Sequence, residues 1–65
     1  MNDLLTIKEA AQFLRLSAST IYHLTSAREI PHFKVGQKVL FDRADVESWL
    51  QERRVAPIAE RAKEA

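Results

Sequence analysis

Cysteine is absent from the 65 residues, which excludes a disulfide framework or a thiolate-bound zinc as the source of stability. A chain this short buries only about 60% of the surface its unfolded form exposes, so one small apolar core must suffice. Glycine occurs once and proline twice, which favours helices joined by tight connections over long loops. No apolar run approaches the roughly 18 residues of a membrane span, so no membrane partner is expected. The opening residues, Met1-Asn2-Asp3-Leu4-Leu5, carry neither the basic segment nor the apolar stretch of a secretory signal, and the cytoplasm is the expected compartment. Catalytic constellations are missing as well. His23 and His32 have no clustered carboxylates to complete a metal site, and there is neither a phosphate-cradling glycine loop nor a nucleophile elbow. The expectation is a non-enzyme without metal, cofactor or small-molecule ligand.

What is present is 46% apolar and 29% charged residues, the composition of a globular domain. The net charge of +1 conceals a polarity along the chain. Residues 15–38 hold four basic side chains (Arg15, Arg28, Lys34, Lys38) against Glu29 alone, and both histidines. Residues 42–52 hold four acids (Asp42, Asp45, Glu47, Glu52) against Arg43. One face suited to a polyanion and one that repels it is the physical implication.

Thr6-Ile7-Lys8-Glu9 is a capping box, and Ile7, Ala10, Ala11 and Leu14 follow at helical spacing. This first helix is expected to end near Leu14 or Arg15, because Ser17 can cap a second whose inward positions are Ile21, Leu24 and Ala27 or Arg28. Two short helices separated by about three residues have the connection length of a helix-turn-helix, with Ala11 as the small residue where they cross. Pro31 is expected to stop the second helix. His32-Phe33-Lys34-Val35 and Lys38-Val39-Leu40-Phe41 then read as two strands around Gly36, a hairpin wing. Asp42 caps a third helix with Val46, Trp49 and Leu50 on its apolar edge. Trp49 is expected at the centre of the core, on Phe41, Val35, Ile21 and Phe13 or Leu14, with Phe33 also inside. The predicted fold is mostly α with a two-stranded β wing, a winged helix-turn-helix of order α-α-β-β-α over residues 1–54. Residues 55–65, interrupted by Pro57, form a tail that is frayed or a short helix.

Leu5-Thr6-Ile7-Lys8-Glu9-Ala10-Ala11, Ser17-Ala18-Ser19-Thr20-Ile21-Tyr22 and Phe41-Asp42-Arg43-Ala44-Asp45-Val46-Glu47-Ser48-Trp49-Leu50 together resemble the excisionase family of small MerR-like winged helix-turn-helix domains. The resemblance runs over residues 4–50 with the motifs in the family's order. It implies double-stranded DNA as partner, further copies of the chain bound alongside, and a recombinase or RNA polymerase nearby. Its functional implication is the direction of site-specific recombination, or alternatively transcriptional regulation. Two departures stand out. Arg15 occupies a turn position where the family commonly has Gly, so either Arg takes a left-handed backbone at about 1 kcal/mol or the turn differs. Ala18 and His23 stand where family members often have Arg.

With Ile21 and Leu24 inward, the outward arc of the second helix holds Ala18, Ser19, Tyr22, His23 and Ser26, with Ser17 at its start. This is the surface a recognition helix lays in the major groove. It carries none of the Arg, Lys, Asn or Gln side chains that read guanine or adenine through paired bonds. Phosphate contacts are expected from Thr6 and the amides beside it, Arg15, Arg28, Lys34, Gln37 and Lys38. The sparse base-reading face leaves a third reading open, a protein-interaction module that has lost DNA binding.

Overall fold

A computed structural model describes residues 3–58. The elements run β1 (Leu4–Thr6), α1 (Ile7–Leu14), α2 (Ala18–Ser26), β2 (Phe33–Val35), β3 (Lys38–Asp42) and α3 (Arg43–Gln51). The α-α-β-β-α order of a winged helix-turn-helix is present. The sheet, however, has three strands rather than two: antiparallel, in the order β1-β3-β2. The added strand is Leu4–Thr6, which pairs with β3 so that Leu5 lies opposite Phe41. Three residues offer no alternation to read, and their partner lies far along the chain. A further tie holds β1 in place: Arg43 donates its backbone N–H to the Asp3 carbonyl and its Nε–H to Asp3 Oδ2, at 3.0 and 2.6 Å.

The capping box of α1 is complete. Glu9 N–H donates to Thr6 Oγ1 at 3.2 Å and Thr6 N–H to Glu9 Oε1 at 2.9 Å. Ala10 and Ala11 are buried in the core, where small side chains let α1 pack closely. The α1–α2 turn is left-handed at Arg15, with φ 58° and ψ 39°. Leu16 N–H returns to the Ala11 carbonyl and Arg15 N–H to Gln12, the bonding of a Schellman motif. Of the two alternatives at Arg15, the chain adopts the strained one. α2 ends the same way: Arg28 takes φ 57°, Glu29 N–H bonds the Leu24 carbonyl and Arg28 N–H that of Thr25. The helix therefore closes at Ser26, before Pro31 exerts any effect, and Ala27 is its cap rather than an inward position.

The core is Leu5, Ala10, Ala11, Ile21, Ile30, Phe41, Val46 and Trp49. Full burial of Phe41, Ile21 and Val46 contributes about 1.5–3 kcal/mol each. Ile30, whose sequence signal is only its place before proline, is buried because the loop after α2 folds inward. Three of the expected core positions are corrected, two by their place on the wing strands and one by helix rotation. Phe33 pairs with Leu40 and so faces away from Phe41; it is half-buried on the outer side of the sheet. Val35, beside the wing turn, is 64% exposed and does not pack on Trp49. Leu50 is 45% exposed, one position past the inward arc of α3 set by Val46 and Trp49. Residues 55–57 have no regular structure, and the rest of the tail expected at 55–65 lies largely outside the described residues.

Candidate nucleic-acid interface

Ser17 starts α2 by accepting the Thr20 N–H at 3.1 Å, and its Oγ also shares a 2.9 Å bond with Thr20 Oγ1. That hydroxyl is committed to the cap. Ile21 is fully buried and Leu24 half-buried beneath it, which fixes the rotation of the helix. Ala18, Ser19, Tyr22, His23 and Ser26 are all exposed, and together they line one shallow depression of about 450 Å³. The structure thus brings five of the six expected α2 positions onto one surface.

A second cleft, of about 570 Å³, opens between the end of α2 and the wing. It is lined by Thr25, Ser26, Arg28, Ile30, Pro31, His32 and Lys34, so Ser26 joins the two depressions into a continuous face. Among the described residues Arg28 and Lys34 are its charged groups, and no carboxylate lines it. Neither forms an ion pair among the described residues, in contrast to Arg43 with Asp3 and Arg53 with Glu52. The cleft's floor is held from behind. Trp49 Nε1–H donates to the Glu29 carbonyl at 2.7 Å, and the Arg53 guanidinium stacks 4.1 Å over the Trp49 ring while bonding the Trp49 carbonyl. A core aromatic therefore pins the loop that carries Arg28 and His32.

The wing turn is Gly36-Gln37, with β2 and β3 paired Val35 to Lys38. Gly36 takes φ 60° while Gln37 does not, the pattern of a type II′ hairpin, which requires glycine at this position. Gln37 and Lys38 are exposed at the tip, beyond both depressions. Thr6 and Arg15 also lie outside them. At Thr6 the capping box closes two of the amides that an anion would otherwise meet. Arg15 is exposed in the turn and unpaired among the described residues.

Two cleft residues escape a sequence reading. Thr25 lies on the half-inward side of α2, and its hydroxyl donates to the Tyr22 carbonyl at 2.9 Å. His32 is the other. Its signal is strand alternation: two positions before Lys34, it shares that side chain's face of the wing. The opposite surface differs in kind. A depression of about 720 Å³ along α3 is lined by Phe13, Ala44, Glu47, Ser48, Leu50, Gln51 and Glu52, with two carboxylates and no cation among the described residues.

None of the helices is long and apolar enough to cross a membrane, and no cluster of metal-ligating side chains occurs among the described residues. No curated protein and no solved structure matches the chain. A family model described as a helix-turn-helix domain matches residues 4–54, a span that contains all six elements. With two short helices joined by a tight turn, an outward face on the second, and this match over most of its length, the chain belongs to the helix-turn-helix domain family of small DNA-binding domains.

Proposed function

We propose that the chain binds duplex DNA with α2 in the major groove and the β2–β3 wing along the adjacent backbone, as several neighbouring copies that direct site-specific recombination in the manner of an excisionase. The observation that carries the binding mode is the continuous face formed by the α2 surface and the cleft holding Arg28 and Lys34, which no carboxylate lines among the described residues. Base reading on this face is sparse. Ser19 offers a hydroxyl to bases or phosphate, Ala18 a methyl to thymine, and Tyr22, 56% exposed, a ring and a hydroxyl to the backbone. His23 can donate or accept at a base edge. Affinity then rests chiefly on phosphate contacts from Arg15, Arg28, Lys34, Gln37 and Lys38, and one copy binds weakly with steep salt dependence. Neighbouring copies, or a recombinase on the same DNA, raise effective affinity without demanding more of each interface. Regulation of transcription uses the same geometry and differs only in where the sites lie.

The absence of Arg, Lys, Asn and Gln from the outward arc of α2 favours one other reading, a protein-docking module. The Lys34→Ala/Lys38→Ala double variant separates the two. A DNA binder loses about two units of slope in log affinity against log salt, at about 0.9 per phosphate contact, with little change in stability. Unchanged DNA affinity and slope in that variant would remove the wing from the account.

A further inference from the structure

We propose that His32 is a proton-linked ligand for a DNA backbone phosphate in the cleft between α2 and the wing, so that protonation of this one imidazole strengthens DNA binding. The inference rests on the DNA-binding mode proposed above and adds to it a residue and a regulation.

The hydrogen bonding of His32 is settled on one side of the ring. Nδ1 lies 2.8 Å from the Ile30 carbonyl. A carbonyl only accepts, so Nδ1 carries the proton and donates in the neutral and the charged forms alike. The nitrogen left for a ligand is Nε2. In the neutral ring it is a bare acceptor, which repels a phosphate oxygen; in the imidazolium it becomes a donor and makes a charge-assisted bond with the same oxygen. The Ile30 bond is kept through this change, so the ring need not reorient to switch.

Its surroundings suit an anion. His32 is half-buried and lines the cleft with Arg28 from the loop and Lys34 from β2, while α2 contributes the hydroxyl of Ser26, that of Thr25 being already donated to the Tyr22 carbonyl. From β3 the neighbour is the Phe41 ring, with centroids 6.3 Å apart and planes tilted by 49°. Among the described residues, the charged groups that line the cleft with the imidazole are therefore two cations and no carboxylate. A phosphate seated among them adds a negative charge beside the ring and favours its protonated form. Arg28 adds a second sign of purpose. It holds a left-handed backbone that glycine or asparagine adopts more cheaply, and its guanidinium has no hydrogen bond or ion pair among the described residues.

The linkage has a definite sign. Bound phosphate raises the midpoint of His32, so the added affinity is fully present below the free-state midpoint and is lost as pH rises through the bound-state midpoint. Each unit of rise corresponds to about tenfold in affinity. His23 is a second imidazole on the proposed DNA face, so the test must separate the two.

The test measures affinity for a mixed-sequence duplex at fixed ionic strength from about pH 6 to pH 8, using wild type, His23→Gln, His32→Gln and the double variant. It is paired with an NMR titration of the His32 ring in wild type, free and saturated with duplex. Binding that tightens several-fold toward acid in wild type and in His23→Gln, flattens in His32→Gln to the level of the double variant, and accompanies an upward shift of the His32 midpoint is the expected result. An unmoved His32 midpoint in the saturated complex overturns the inference whatever the variants do, and leaves the DNA-binding reading standing. No binding to duplex at any pH overturns both.

Discussion

The helices α2 and α3 are each nine residues long, yet they meet core and solvent in opposite ways. α3 places Val46 and Trp49 in the core, stacks Arg53 over the Trp49 ring, and turns Asp45 and Glu47 outward. α2 buries only Ile21 fully and carries no acid at all. Its stability comes from its ends, a serine cap at one and a Schellman closure at the other, and its long face stays open. A domain with so small a core assigns anchoring to one helix and display to the other. The acids of α3 and the cations around α2 follow the same division, since a polyanion is attracted to one side and repelled from the other.

That contrast is open to direct attack. Trp49→Ala should destabilise by about 3–5 kcal/mol and leave the domain largely unfolded at room temperature, as urea melts would show. Trp49→Phe should keep most of the packing while losing the bond to the Glu29 carbonyl, about 1–3 kcal/mol. Faster amide exchange in the loop carrying Arg28 and His32 would show that α3 holds the cleft. On α2 the corresponding weak point is its cap: Ser17→Ala should cost about 1 kcal/mol by the same melts. Smallest, and opposite in sign, are the two left-handed arginines. Arg15→Gly and Arg28→Gly should each stabilise by up to about 1 kcal/mol and raise the melting temperature by several degrees. Each should also weaken duplex binding and lower the salt slope by about one unit. Stabilisation with unchanged binding would mark that arginine as outside the interface.

Much of this was legible beforehand because the signals are local. Thr6 with Glu9, Ser17, Asp42 and Gly36 each act within three residues of themselves, and all four do in the structure what their spacing predicts. The outward arc of α2 follows from the two inward anchors and helical geometry alone. The unread parts depend on partners distant in sequence. β1 exists only because β3 offers it an edge, and Phe33 faces outward because register, not its own hydrophobicity, assigns the face. The cleft around His32 depends on two elements and a loop meeting. Only the alternation from His32 to Lys34 hinted at it.

The most direct measurement is an amide-shift titration of the labelled protein with a mixed-sequence duplex at low and at moderate salt. Shifts confined to residues 17–26 and 32–38, absent from the outer side of α3 and diminishing as salt rises, are the predicted result. Shifts centred on α3, or none at duplex concentrations on the order of 1 mM, well above the usual range for non-specific binding, would contradict the assignment of α2 and the wing as the DNA-binding face.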